Sequence, residues 1–151
     1  MNDQAFAAKW LGRISSDREG ADGAFVAGLS GHLGAGKTAF VKRIAAELGI
    51  REVVTSPTFV IMKIYETGGS DAGAKAAFKR LIHIDAYRLE RREELEALRF
   101  EDVVSDKNNL VMIEWPENVE LVGEDHNEEK SGLDEHLKFE IKDGAYTIEV
   151  Q

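Results

Sequence analysis

The chain has 151 residues, 43% hydrophobic and 31% charged, a composition typical of one globular domain over residues 1–151 and not of a disordered chain. Its formal net charge of −9 argues against a broad nucleic-acid-binding surface, because such a surface needs an excess of positive charge. The chain has no cysteine, which excludes disulfides and thiolate metal sites. It shows neither a membrane-spanning apolar run nor a signal-peptide pattern, so we expect a cytoplasmic protein.

The first half of the chain predicts a helix, a strand, a glycine-rich loop and a second helix. Residues 4–16 place four apolar side chains on one helical face, namely Phe6, Trp10, Leu11 and Ile14. Residues 24–29 form a short apolar run that is typical of a buried strand. After the loop, apolar residues from 40 to 48 recur at helical spacing, and Gly49 marks the end of that helix.

The second half predicts five more strands, one helix and two polar loops. The strands are 58–65, 81–85, 110–114, 136–141 and 145–150, the helix is 93–100, and the loops are 68–79 and 123–135. In the first of these strands we expect Phe59, Ile61 and Ile64 to pack. The Asp143-Gly144 dipeptide predicts the turn of a C-terminal hairpin.

Continuous apolar strands that alternate with helices indicate a sheet covered on both faces, which is a three-layer α/β sandwich. The alternation is incomplete, because no obvious helix separates the strands at 58–65 and 81–86. Part of the sheet is therefore predicted to be antiparallel. We expect a mixed, mostly parallel central sheet that ends in the C-terminal hairpin.

The glycine-rich loop matches the complete phosphate-binding pattern of glycine, four residues, then Gly-Lys-Thr. The pattern is formed by Gly31, His32, Leu33, Gly34, Ala35, Gly36, Lys37 and Thr38. Backbone N–H groups of such a loop surround phosphates, helped by the positive end of the following helix. Lys37 then reaches the β and γ phosphates, the Thr38 hydroxyl ligates Mg²⁺, and Ala39 extends the nucleotide contact. The alternative is a glycine turn that matches the pattern by chance. The predicted strand before the loop and the predicted helix after it argue against this alternative.

A phosphate loop needs an acidic partner that holds Mg²⁺ or orients the attacking water. Asp85 and Glu114 each follow four apolar residues at the end of a predicted strand. Ligands of open α/β sheets bind at the carboxyl ends of strands, so both acids are candidates for one magnesium site. The alternative for either residue is a solvated carboxylate at a strand end.

Four further features have a functional and a structural interpretation each. His83 is either a proton carrier or a hydrogen-bonded core histidine. Arg88, in a cluster with Arg91 and Arg92, either contacts phosphate or a partner, or lies solvated on the surface. Trp115 either stacks on a base or anchors a strand end. The segment 56–59 is either a switch that orders with the γ-phosphate or a plain loop.

Four segments, in this order, resemble those of the TsaE (YjeE) family of P-loop ATPases. These segments are Leu29-Ser30-Gly31-His32-Leu33-Gly34-Ala35-Gly36-Lys37-Thr38, Ser56-Pro57-Thr58-Phe59, His83-Ile84-Asp85-Ala86-Tyr87-Arg88-Leu89 and Ile113-Glu114-Trp115-Pro116-Glu117. The resemblance implies an ATPase with low intrinsic turnover that is required for threonylcarbamoyladenosine modification of tRNA. It also implies two protein partners, a TsaD-like threonylcarbamoyl transferase subunit and its non-catalytic, TsaB-like paralogue, whose complex is regulated or reset by ATP hydrolysis.

The resemblance also implies roles for individual residues with the cofactors ATP and Mg²⁺. Lys37 and Thr38 would bind phosphate and Mg²⁺, and Asp85 and Glu114 would be the essential acids. Trp115 would lie near the nucleotide base. The family usually has glycine where Arg43 stands, and this arginine could alter a partner surface.

Three other functions are compatible with a phosphate loop. A small-molecule kinase would usually carry a lid with several arginines and a substrate pocket; Arg88, Arg91 and Arg92 are the only arginine cluster in the sequence, which argues against a kinase. A GTP-dependent switch would need an Asn-Lys-x-Asp guanine-reading motif, which the sequence lacks. A nucleotide-dependent interaction module without hydrolysis would not need the two acids.

Overall fold

The computed structural model describes residues 3–16, 18–56, 60–67, 77–121 and 132–151. Three residues of the predicted switch segment, Pro57, Thr58 and Phe59, lie outside the described residues, as does most of the two predicted loops. None of the helices in the described ranges is long and apolar enough to cross a membrane.

The elements follow the predicted order along the chain. The helices are α1 (Asp3–Ser16), α2 (Lys37–Glu47), α3 (Glu93–Glu96) and α4 (Phe100–Val104), with a 3₁₀ helix at Pro116–Val119. The strands are β1 (Phe25–Ser30), β2 (Met62–Glu66), β3 (Arg80–Asp85), β4 (Asn109–Glu114), β5 (Glu135–Lys142) and β6 (Ala145–Val150).

The six strands form one sheet in the order β2-β3-β4-β1-β5-β6. Three neighbouring pairs, β3–β4, β4–β1 and β1–β5, are parallel, whereas β2 runs antiparallel to β3 and β6 antiparallel to β5. This arrangement confirms the predicted mixed, mostly parallel sheet with a C-terminal hairpin. Because β1, β3, β4 and β5 are parallel, their carboxyl ends meet at one edge of the sheet.

Helices cover both faces of the sheet, which confirms the three-layer architecture. On one face, α1 and α2 pack on the sheet, and the Trp10 ring lies 5.5 Å from the Phe40 ring. On the other face, Leu95 of α3, Phe100 of α4 and Val119 of the 3₁₀ helix enclose a second core. The predicted apolar face of α1 is thus core.

Two local predictions are wrong. The helix predicted at 93–100 is interrupted, because Arg99 has a left-handed backbone (φ 59°), so α3 and α4 are separate short helices. Ile64 is 52% exposed while Tyr65 is fully buried, since successive side chains of a strand point to opposite faces. Ile61 does pack against the second core. Its backbone is left-handed (φ 68°) and therefore not extended, and β2 begins at Met62.

Candidate functional site

The glycine-rich loop joins the carboxyl end of β1 to the first residue of α2. Gly34 and Gly36 have left-handed backbones, with φ values of 81° and 101°, which residues with a Cβ rarely adopt. Gly36 caps α2 without a side-chain hydrogen bond. The first N–H groups of α2 therefore remain available at the positive end of the helix dipole, which is an arrangement that binds anions.

Lys37, the first residue of α2, is buried with its ammonium group inside the loop. Its Nζ donates hydrogen bonds to the backbone carbonyls of Gly31 and His32, the latter at 3.0 Å. The same atom lies 4.4 Å from the centroid of the Trp115 ring, a cation–π contact. Burial lowers the pKa of Lys37, and the nearby carboxylates, Glu114 foremost, oppose this shift.

Glu114 connects the loop to the centre of the sheet. The Thr38 hydroxyl lies 3.1 and 3.0 Å from the two carboxylate oxygens of Glu114. On its other side, Glu114 Oε2 lies 2.6 Å from His83 Nε2. Both His83 and Glu114 are buried, so the histidine is a hydrogen-bonded core residue that fixes the position of the Glu114 carboxylate.

Asp85 ends β3 directly beside Glu114, because the register of the parallel strands pairs these two residues. One oxygen of Asp85 accepts a hydrogen bond from the Tyr87 backbone N–H at 3.0 Å, and the other accepts one from Ser56 at 3.2 Å. The two acids predicted from sequence are therefore brought together at the edge of the sheet where the glycine-rich loop lies.

The donor set at this edge suits Mg²⁺ only when further ligands join it. Thr38, Glu114 and Asp85 provide hydroxyl and carboxylate oxygens, the ligands that this ion prefers. Within the described part of the chain, no three His, Cys, Asp or Glu side chains converge into a metal-binding group. Magnesium commonly binds through one or two carboxylates plus substrate phosphates and waters, and these residues fit that mode.

Trp115 lies at the same end of the site as the acids. Its left-handed backbone (φ 60°) turns the chain from β4 into the 3₁₀ helix, and its N–H donates to the Leu29 carbonyl at 3.0 Å. The indole ring lies 5.2 Å from the Tyr87 ring. The Trp115 ring thus packs against the Lys37 ammonium.

These residues line a cleft of about 640 Å³ that is larger than a triphosphate chain alone requires. The lining includes the acids, Lys37 and Trp115, and also side chains of the hairpin β5–β6 that the sequence did not single out, namely Phe139, Tyr146 and Ile148. In the sheet, the strands that carry the acids and the hairpin lie on opposite sides of β1. Arg88, Arg91 and Arg92, the predicted basic cluster, do not line the cleft.

A family model described as threonylcarbamoyl adenosine biosynthesis protein TsaE matches residues 3–147 of the chain. The chain belongs to the TsaE family. This finding confirms the resemblance noted in the sequence.

Two curated relatives carry the name tRNA threonylcarbamoyladenosine biosynthesis protein TsaE. The protein of Streptomyces coelicolor is 40% identical over 99 residues, which cover 64% of this chain and 61% of that protein. The protein of Borreliella burgdorferi is 38% identical over 89 residues, which cover 59% of this chain and 58% of that protein. The matched region thus spans about three fifths of the relatives' length.

A solved structure confirms the fold class of this TsaE family member. The crystal structure of YdiB from Bacillus subtilis superposes with a TM-score of 0.58 and covers 98% of this chain and 78% of that one. At 24% sequence identity, this likeness shows the shared fold alone.

A cluster of three polar side chains beside the loop could not be predicted from the sequence. The Ser30 hydroxyl donates to Glu117 Oε2 at 2.7 Å and lies 2.7 Å from His136 Nε2. It thereby joins the last residue of β1 to the 3₁₀ helix and to β5. Burial lowers the pKa of His136. No local signal reveals this group, because its members are far apart in the chain.

Proposed function

We propose that this chain binds Mg²⁺-ATP in the cleft at the phosphate loop and hydrolyses it, as an ATPase required for threonylcarbamoyladenosine modification of tRNA. The observation that carries the proposal is the contact of the Thr38 hydroxyl with Glu114 at 3.0–3.1 Å, directly beside the buried Lys37. This arrangement joins a phosphate loop to an acidic strand end, as nucleotide hydrolysis requires. The pathway is supported by family membership and by the names of the relatives.

Each residue has a defined task in this proposal. The loop N–H groups and the Lys37 ammonium bind the phosphate oxygens and offset their negative charge. Thr38 and Glu114, with Asp85 directly or through water, would hold Mg²⁺. That ion, when bound, neutralises the charge that develops on the phosphates. Asp85, which is accessible from the cleft, also orients the attacking water. His83 keeps the Glu114 carboxylate aimed at Thr38.

The proposed role of hydrolysis is to regulate or reset the threonylcarbamoyl transferase complex. The partners in this proposal are a TsaD-like transferase subunit and its TsaB-like paralogue. Direct tRNA contact is limited in the proposal, because the net charge of −9 repels phosphate. Low turnover in the isolated chain, raised by the partners, is the expected behaviour of such a regulatory ATPase.

The deciding experiment measures ATP hydrolysis by the chain alone and with both partner proteins, together with ATP binding by calorimetry. We expect ATP binding by the isolated chain, slow hydrolysis, and faster hydrolysis when both partners are present. Absence of ATP binding would contradict the proposal. Transfer of phosphate to a small-molecule acceptor would instead assign the chain to the kinases.

Substitutions in the site separate binding from chemistry. Lys37→Ala should abolish or severely weaken ATP binding. Asp85→Asn and Glu114→Gln should each lower turnover by roughly 100-fold, with a smaller loss of ATP affinity. Glu101→Gln is the matched control, because Glu101 is an exposed carboxylate on α4 away from the cleft. Wild-type turnover in either acid variant would remove that residue from the mechanism.

A further inference from the structure

The acidic side chains of the cleft come from one side of β1 and the apolar hairpin side chains from the other, and this difference sets the orientation in which a nucleoside triphosphate would bind. Asp85 and Glu114 end β3 and β4, which lie on one side of β1, whereas the hairpin β5–β6 lies on the other side. With Lys37 of the loop, the two acids would meet the terminal phosphate. The base of a nucleoside triphosphate is attached at the opposite end of the phosphate chain. If the phosphates occupy the loop, as the proposed function requires, the base must extend away from these three residues.

The hairpin side of the cleft is largely apolar. Phe139 and Ile148 are cross-strand partners in the hairpin, so their side chains share one face of the sheet. Tyr146 lies two residues before Ile148 and projects from the same face. Leu33 of the phosphate loop also lines the cleft and is 68% exposed.

Tyr146 is the aromatic side chain that extends this surface toward the loop. Its Cδ1 lies 3.7 Å from the position that a Cβ would occupy on Gly36, so the ring lies beside the loop where α2 begins. Tyr146 is nevertheless 53% exposed. Packing within the protein therefore leaves more than half of its surface available.

The hairpin is held in this position by packing against the loop and α2. The Phe139 ring lies 5.6 Å from the Phe40 ring in an edge-on contact. The Phe139 backbone closely approaches Gly31, where a Cβ would come within 3.1 Å of the Phe139 Cβ. The apolar side therefore has a defined geometry relative to the phosphate loop.

We propose that the hairpin β5–β6 forms the nucleobase subsite of this chain, with Tyr146 as the residue on which the base stacks. A base and a tyrosine ring both present flat apolar faces, and stacking them removes both from water. Arg43 of α2 also lines the cleft. Its guanidinium suits the inner phosphate or the ribose. This assignment differs from the expectation that Trp115 lies near the base, because Trp115 contacts Lys37 on the side of the acids.

The test compares the affinities of ATP and of inorganic tripolyphosphate, both with Mg²⁺, by calorimetry. Tripolyphosphate has no base, so the ratio of the two affinities reports the nucleoside contribution. Tyr146→Ala should weaken ATP binding about 10-fold and leave tripolyphosphate binding unchanged. Tyr146→Phe, which keeps the ring, should retain the wild-type ratio. Val150→Ala is the matched control, because Val150 lies on the same face of β6 outside the cleft.

The outcomes distinguish failure of the subsite from failure of the proposed function. The nucleobase subsite would be overturned if Tyr146→Ala keeps the wild-type ratio of the two affinities, whether both affinities are unchanged or both fall equally. The proposed function would stand in that case, because the wild type still binds ATP. If the ratio of ATP affinity to tripolyphosphate affinity falls in Trp115→Ala and not in Tyr146→Ala, the base stacks on the indole of Trp115 and not on Tyr146. If the wild type binds neither compound, the proposed function itself is wrong.

Discussion

Replacing Gly31 by alanine tests whether the close approach of β5 to the glycine-rich loop is required for the stability of the fold. Gly31 has a φ of 147°, and a Cβ there would overlap the Phe139 carbonyl oxygen and lie 3.1 Å from the Phe139 Cβ. The obstacle is mainly strand backbone, which cannot move aside as a flexible side chain can. Gly34→Ala is the matched control, because Gly34 also has a positive φ of 81° but nothing within 4 Å of the added Cβ.

The two substitutions should differ by the cost of the clash. A non-glycine residue at positive φ costs about 1–2 kcal/mol, and both variants incur this cost. Overpacking against a fixed neighbour costs about 1–3 kcal/mol more, which applies to Gly31→Ala alone. We therefore expect Gly31→Ala to lower the free energy of unfolding by about 2–5 kcal/mol and Gly34→Ala by about 1–2 kcal/mol.

Urea denaturation monitored by circular dichroism measures this difference directly. In thermal melts, each kcal/mol should lower the melting temperature by about 2–4 °C for a chain of this length. ATP affinity should fall more in Gly31→Ala than in Gly34→Ala, because displacement of β5 also displaces the hairpin that lines the cleft. Equal stabilities of the two variants would refute the reasoning, since the clash would then contribute nothing.

Two further predictions concern stability. Burial holds the pKa of His136 below its ordinary value of 6.5, so the unfolded chain binds more protons and this group destabilises the fold as the pH falls below 6.5. The free energy of unfolding of His136→Gln should therefore rise relative to that of the wild type as the pH falls from 7.5 to 5, roughly the range of histidine titration. Urea denaturation at a series of pH values measures this difference. A difference in unfolding free energy that stays constant across this range would contradict the assignment. Gly12 lies in the exposed middle of α1 with nothing within 4 Å of an added Cβ, so Gly12→Ala should raise the free energy of unfolding by about 0.5–1 kcal/mol. A lower melting temperature in Gly12→Ala would argue against an unstrained helix at this position.

The glycine-rich loop and its flanking strand and helix could be predicted because their signals are local. The spacing of Gly31, Gly36, Lys37 and Thr38 lies within eight residues of contiguous chain, and such a pattern depends little on the rest of the fold. The strands ending in Asp85 and Glu114 were also evident, since continuous apolar runs mark buried parallel strands.

Predictions were less accurate where packing decides between similar patterns. Ile64 and Tyr65 are both suited to a strand, and only the pairing of β2 with β3 at the sheet edge determines that Tyr65 faces the core. The helix is likewise interrupted at Arg99, between Leu95 and Phe100, which are both buried in the second core. Neither outcome follows from local propensity.

By itself, the sequence determined the glycine-rich loop between a strand and a helix, the order of the elements and the family. The tertiary structure decided which side chains meet around the loop. His83 contacts Glu114 across 31 residues, and Ser30 contacts His136 across 106 residues. The physical reason is that β1 pairs with β4 and β5, strands distant in the chain, so the cleft is composed by strand pairing and not by sequence neighbours. The placement of Tyr146 against Gly36 is the clearest consequence.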